Sequence, residues 1–416
     1  MAIKKKRPEV QAPAVTAKPG TAIINRRAAD RLRQGHVWVY LSDIASVSAE
    51  PGSLVGVFDE RERRMGTAIY SSTSQIALRI VSRTPLERAE FLSLVRQRIA
   101  AAVAYRHRFV HGTDAFRVIF GEADQLPGLV VDRYNSTVVI QFLAQGTDQP
   151  DYREAAIAAL KEELQPAVIL ERSDNRIKEL EQLQHSNNQV LFPANEASET
   201  GSAIFTMNGL RFHYRADAGQ KTGAFLDQRE NYAAAARHAR GEALDICTYQ
   251  GGFALHLNRV CEQVSAVDIS RPALEIAESN EQLNAAQFGG REIEWIDGNA
   301  FDLLRDYSDA GRKYDTVVLD PPAFSKSKRA IEGALSGYKE INLRALKMLR
   351  PGGILITCSC SHHVSQAEFL EMLNSAAQDS HRQLRLLEQR GQSLDHPVLL
   401  GVPETSYLKC VIGIVE

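Results

Sequence analysis

Two short segments near the C-terminal end of the chain carry the residue types that do chemistry. Asp320-Pro321-Pro322-Ala323-Phe324 and Thr357-Cys358-Ser359-Cys360-Ser361 each follow an apolar run that reads as a buried strand, Tyr314 to Leu319 and Gly353 to Ile356. In an open α/β sheet, ligands bind beyond the carboxyl ends of the strands. A carboxylate, a stiff Pro-Pro, an aromatic ring and two thiols are therefore expected at one rim. That set suits an enzyme that holds a planar base and attacks it with a thiolate.

Three earlier strand ends complete the expected site. Asp245 to Phe253 joins a strand to a helix through Gly251-Gly252-Phe253. Glycines there let the backbone approach a ligand closely. A dinucleotide fold calls for G-x-G-x-x-G, but Cys247, Thr248 and Tyr249 stand where its first glycine belongs. The turn suits a cofactor that presents an amino-acid moiety and a ribose. Asp268 ends the next strand, where an acid takes hydrogen bonds from ribose hydroxyls. Asn299 follows the third strand, within reach of an adenine amine.

Repeated β-α patterning positions these residues. Ala243–Cys247, Gln263–Asp268, Glu292–Ile296, Tyr314–Leu319 and Gly353–Thr357 read as strands, with helices after the first two and over Leu335–Leu349 and Gln366–Ala377. That alternation implies a parallel sheet covered by helices on both faces. Four units are expected: a basic arm over 1–20, a small β-barrel over 21–90, a central α+β unit over 91–204, and an α/β unit over 205–416. A helix over Arg26–Gln34 brings Arg26, Arg27, Arg31 and Arg33 near Trp38 and Tyr40.

Composition sets bounds. With 416 residues and a net charge of -2, bulk attraction to nucleic acid is not implied, so RNA contact needs a local basic patch. Five cysteines, an odd number, argue against a disulfide framework and for a reducing, cytoplasmic compartment. No apolar run is long enough to span a bilayer.

Taken together, these residues resemble the class I S-adenosylmethionine-dependent methyltransferases. The closer resemblance is to the RlmI-like ribosomal RNA large subunit cytosine-5 methyltransferases, over nearly the whole chain after residue 20. It rests on Asp217 to Asn231, Gly251-Gly252-Phe253, Asp320 to Phe324 with Lys326 and Lys328, the paired cysteines, Asp395-His396-Pro397, and Pro403 to Cys410. Ile24 to Tyr40 and Gly66 to Ile76 resemble the PUA domain, an RNA-binding module. The resemblance implies a Rossmann-like domain preceded by a PUA-like barrel and a central domain, with S-adenosyl-L-methionine as cofactor. It implies 23S ribosomal RNA, not yet fully assembled, as partner, a homodimer as an option, and no membrane. It assigns Gln220, Thr222 and Gln228 to a loop over the cofactor, and Arg31 and Arg33 to RNA docking.

The implied chemistry is covalent. Cytosine C5 becomes nucleophilic once a thiolate adds to C6. RNA cytosine-5 enzymes carry Gly-Gly, five strand residues, then Thr-Cys-Ser. Counting from Gly352-Gly353 favours Cys360 as nucleophile and leaves Cys358 as the second candidate, packed inside the strand. Asp320 is expected at the base edge and against the cofactor, Pro321 and Pro322 stiffening the loop, Phe324 stacking on the ring and Lys326 nearby. Ala323 stands where many such enzymes have another cysteine, so the group that removes the C5 proton stays open. Asp-Pro-Pro-Ala-Phe also fits base-amine or ring-nitrogen methylation without a thiol. A nucleotide-dependent oxidoreductase and a non-catalytic RNA-binding protein remain as other classes.

Overall fold

The computed structural model describes residues 16–183, 189–193, 202–215, 223–324 and 331–416. The first fifteen residues of the expected basic arm lie outside them, as do Gln220, Thr222, Lys326 and Lys328.

The N-terminal unit is a six-stranded sheet built from β1 (Thr21–Ile24), β2 (Trp38–Tyr40), β3 (Ile44–Ser48), β4 (Leu54–Asp59), β5 (Arg64–Tyr70) and β6 (Ile76–Ser82). Its order is β2-β6-β5-β4-β1-β3, with β1 and β4 parallel and the other pairs antiparallel. Helix α1 (Arg26–Arg33) starts where the Asn25 side chain accepts a hydrogen bond from the Ala28 N–H at 2.9 Å. Asparagine is a favoured N-cap for this reason. The helix turns Ala28, Ala29 and Leu32 onto a core with Val39, Val55, Val57 and Leu78.

The central unit holds α2 (Arg88–Phe109), α3 (Pro150–Leu164), α4 (Asn175–Glu181) and strands β7 (Ala115–Phe120), β8 (Leu129–Tyr134), β9 (Thr137–Phe142), β10 (Val168–Glu171) and β11 (Gln189–Phe192). Helix α2 begins where Glu87 and Glu90 close a capping box. Its face of Phe91, Val95, Ile99 and Val103 packs with α3 against the sheet. Arg106 is fully buried. Its guanidinium pairs with Asp124 and donates to the carbonyls of Arg117 at 2.9 Å and Asp395 at 2.8 Å. That cation joins the central sheet to the C-terminal tail.

The hairpin β12 (Ser202–Met207) and β13 (Leu210–Arg215) is absent from the sequence reading. It bridges to Thr113 of the central unit and lies on a helix of the next. No regular β-α alternation marks it, since it serves as a clasp between two units.

The C-terminal unit comprises strands β14 (Glu242–Ile246), β15 (Gln263–Asp268), β16 (Ile293–Asp297), β17 (Tyr314–Leu319), β18 (Leu349–Ser359), β19 (Leu384–Arg390) and β20 (Lys409–Val415). They stand in the order β16-β15-β14-β17-β18-β20-β19, with β20 antiparallel to both neighbours. The five strands from β16 to β18 run parallel. Helices α5 (Arg229–His238), α6 (Gly252–Asn258), α7 (Arg271–Asn284), α8 (Ala300–Asp309), α9 (Ile331–Met348) and α10 (Gln366–Asp379) flank the sheet. Strand order reverses between β14 and β17, and the crevice above that switch point is where such sheets bind ligands. Among the described residues no helix is long and apolar enough to cross a membrane.

Candidate active site

The turn after β14 is held by its own acid. Asp245 is fully buried, and its Oδ2 accepts from Thr248 Oγ1 at 2.6 Å and from the Ala254 N–H at 3.0 Å. Its Oδ1 is buried with no hydrogen-bond partner among the described residues. Burial, reinforced by Asp268, pushes the carboxyl up to about 7 despite those two hydrogen bonds. A buried carboxylate lacking one partner costs free energy, so this oxygen fits a ligand that brings an N–H donor, above all a cationic amine.

Cys247 (φ 64°) and Tyr249 (φ 53°) both sit in the left-handed region without being glycine. Such residues store of order 1–3 kcal/mol and cluster at functional sites. The Tyr249 N–H donates to Asp268 Oδ2 at 2.8 Å, and the Ser270 N–H to Oδ1 at 2.9 Å, so the acid of β15 pins the turn of β14.

The glycines work differently from the sequence expectation. A Cβ on Gly251 would lie 2.8 Å from the Trp295 ring, and one on Gly252 would lie 2.4 Å from Tyr232 Cζ. They are required by packing against two aromatic rings. Phe253 is 3% exposed and meets Tyr232 edge-on at 4.7 Å, a core residue rather than a cofactor contact. Asn299 caps α8, its Oδ1 accepting from the N–H groups of Phe301 at 2.9 Å and Asp302 at 3.3 Å. That oxygen is engaged, so it does not meet an adenine amine as expected. Only the amide nitrogen has the chemistry left to contact a ring nitrogen.

Asp320 follows β17 at the switch point. Gln228 Nε2 donates to its Oδ2 at 3.0 Å. Gln228 Oε1 accepts from Asn231 Nδ2 at 2.6 Å, and Asn231 Oδ1 from Arg390 Nε at 2.9 Å. Gln228 is therefore one link in a relay that orients Asp320, with both ends of its amide engaged. In this arrangement the Gln228 amide meets Asp320 and Asn231. Pro321 is buried and Pro322 exposed. Phe324 packs its ring 4.5 Å from Tyr338 and 5.7 Å from Phe301, which braces the loop and uses surface expected for a target base.

The two cysteines separate cleanly. Cys358 is fully buried in the core, opposite Cys410 across β18 and β20. Burial, Cys410 and Asp320 hold its thiol well above the ordinary range, so it does not ionise as a nucleophile must. Cys360 lies just past the carboxyl end of β18 and is half-buried. Beside it, Ser361 Oγ hydrogen-bonds Tyr338 Oη at 2.9 Å, and the Ser361 carbonyl accepts from Lys409 Nζ at 2.6 Å.

Two family models match the chain. One is a PUA-like domain over residues 22–83, the other an S-adenosylmethionine-dependent methyltransferase over residues 121–397. The ribosomal RNA large subunit methyltransferase I of Erwinia tasmaniensis is 35% identical over 384 residues, spanning 91% of this chain and 95% of the relative. That of Klebsiella pneumoniae strain 342 is 33% identical over 402 residues, spanning 94% and 97%. The chain belongs to the ribosomal RNA large subunit methyltransferase I family. A crystal structure of a protein assigned as a methyltransferase, complexed with SAH, shares the fold at a TM-score of 0.79 and 16% identity, covering 95% of this chain and 99% of that one. A second, from Streptococcus mutans, gives 0.78 at 17% identity, covering 95% and 99%. As a member of this family the chain is an S-adenosylmethionine-dependent methyltransferase, a PUA-like domain leading into a class I α/β domain.

The docking arginines expected in this methyltransferase are corrected by the structure. Arg31 donates to Asp43 Oδ2 at 2.9 Å and to the Trp38 carbonyl at 3.2 Å, and its guanidinium lies 4.7 Å from the Tyr40 ring centroid. Arg33 pairs with Asp30 at 2.7 Å and Asp59 at 2.8 Å. Both knit the N-terminal unit together, because Arg31 faces Asp43 and Arg33 faces Asp59, acids from other parts of the chain. Arg26 is the open one, 88% exposed with a single 3.6 Å approach to Asp30, and Arg27 beside it is exposed.

Two residues escaped the sequence reading. Ile269, directly after Asp268, is 69% exposed. Lys409 is 6% exposed at the start of an otherwise apolar strand. The signal for the first was an apolar residue after a strand-end acid, and for the second a lysine inside the run Leu408 to Ile412.

Proposed function

We propose that this methyltransferase forms 5-methylcytosine in 23S ribosomal RNA through a covalent adduct on Cys360, before the subunit is fully assembled. The substrate class follows the naming of its relatives as ribosomal RNA large subunit methyltransferases. One observation carries the chemistry: of the two rim cysteines, only Cys360 stands at the open end of β18, while Cys358 is sealed in the core.

S-adenosylmethionine supplies an electrophilic methyl group on its sulfonium. Asp245 Oδ1 would take the amine of the methionine moiety, Asp268 the ribose hydroxyls, and exposed Ile269 one face of the adenine. Gln220 and Thr222 would come from the loop that covers it. Asp320, oriented through Gln228, holds the polar edge of cytosine on the stiff Pro321-Pro322 turn. Cys360 thiolate adds to C6, which makes C5 nucleophilic toward the methyl carbon. A base then removes the C5 proton and the electron pair returns to sulfur. The target base must leave its stack to reach this rim, as in other enzymes that act on a base. On the barrel, Arg26 and Arg27 meet phosphate.

The test is trapping. RNA carrying 5-fluorocytidine cannot lose its C5 substituent as a proton, so wild-type protein should form an RNA adduct stable to denaturing gels. Cys360→Ala should form none and lose methylation, with SAH binding retained. Cys358→Ala should still trap. Trapping lost only in Cys358→Ala would move the nucleophile. Methylation without trapping in wild type would point to amine or ring-nitrogen transfer at Asp320 to Phe324.

A further inference from the structure

A lysine inside a buried strand needs an explanation, because an uncompensated buried charge is costly. Leu408, Cys410, Val411 and Ile412 around Lys409 are all buried core residues. Lys409 Nζ donates to the carbonyls of Ser361 at 2.6 Å and Tyr407 at 2.8 Å. Both carbonyls are neutral, and the first belongs to the residue after Cys360. An ammonium has three N–H donors, so two carbonyls do not exhaust it.

The ionisable groups around this nitrogen are few. Cys360 and Glu368 act on its charge. Glu368, on α10, is occupied in a capping box, its carboxylate accepting from the Ser365 N–H at 2.7 Å. Tyr338, on α9, is raised mainly by burial and also feels Cys360. Tyr407 is held well above its usual range by burial and donates to Asp227 Oδ2 at 2.5 Å, while His362 packs 5.4 Å from its ring. Both phenols stay neutral, which leaves Cys360 as the acid whose ionisation Lys409 can govern. Burial brings Lys409 down to about 8, which still leaves it mainly cationic near pH 7. A nearby cation favours the thiolate.

We propose that the Lys409 ammonium, anchored on the Ser361 and Tyr407 carbonyls next to Cys360, favours the Cys360 thiolate by its charge. This rests on Cys360 as the nucleophile. The S–H bond breaks, the proton passes to solvent, and the thiolate is left close to the ammonium. When sulfur adds to C6, its electron pair enters the ring. On elimination the pair returns to sulfur opposite the same ammonium, and no proton is consumed.

The test is a pH profile of Cys360 alkylation by iodoacetamide, read by mass spectrometry of the Cys360 peptide, in wild type, Lys409→Met and Lys409→Arg. Wild-type Cys360 should react with a midpoint below the ordinary thiol value of about 8.5. Lys409→Met should raise that midpoint by about one pH unit or more, slow methylation and leave SAH affinity within about twofold. Lys409→Arg, which keeps the charge, should restore the low midpoint; a merely structural role predicts neither the shift nor the rescue. An unchanged midpoint in Lys409→Met would overturn the proposal. Should that variant not fold, a wild-type midpoint at or above the ordinary value overturns it equally. Methylation surviving in Cys360→Ala would instead sink the nucleophile assignment, which the alkylation profile does not address.

Discussion

Replacing Asp245 by Asn should expose how the cofactor site is charged. The Asp245 carboxyl rises from 3.8 to about 7, chiefly because it is buried. A shift of about three units corresponds to roughly 4 kcal/mol. The folded value lies above the unfolded one, so the folded protein keeps a proton that the unfolded chain has released. This group's contribution to stability is complete below about pH 4 and is lost as pH rises through about 7. The Asn variant has no such decline, and its apo form should unfold at higher denaturant than wild type at pH 8. Binding should move the other way. A cationic amine at Oδ1 needs the carboxylate, so wild-type affinity for SAH should fall by about tenfold per pH unit below pH 7, with proton release on binding. The Asn variant should bind roughly 10- to 100-fold more weakly at pH 8, the worth of one hydrogen bond to a charged group, and with little pH dependence. Calorimetry in two buffers of different ionisation enthalpy reads both quantities. Wild-type affinity in the variant at pH 8, or a flat wild-type profile from pH 5.5 to 8.5, would refute the reasoning.

Gly252→Ala should destabilise the enzyme by about 1–3 kcal/mol through overpacking, because its Cβ would fall 2.4 Å from Tyr232 Cζ; urea unfolding that matches wild type would contradict this. Arg31→Ala should cost the barrel roughly 3 kcal/mol by stranding Asp43, whose side chain is 5% exposed, while the salt dependence of RNA binding stays as in wild type. Arg26→Ala with Arg27→Ala should leave stability alone and lower the slope of log affinity against log salt by about 2; an unaltered slope would remove α1 from the RNA interface.

The sequence by itself determined the architecture and the positions of the reactive groups. Apolar runs such as Tyr314–Leu319, followed by polar turns, read as strands buried on both faces, and a β-α alternation closes in one right-handed way. Hence Asp245, Asp268, Asp320 and the cysteine pair are legible as strand-end residues from local pattern alone. Tertiary structure decided what each of them touches. That Gly252 yields to Tyr232, that Arg31 faces Asp43, and that Lys409 reaches the Ser361 carbonyl from a different strand are long-range pairings. Period and propensity are local, whereas burial and partner choice depend on segments far apart in the chain. Cys358 and Cys360 show the division most plainly. Two residues apart on an extended chain, they share a face by simple alternation, yet β18 ends between them. The antiparallel β20 seals Cys358 against Cys410, and only the end of the sheet leaves Cys360 at the rim.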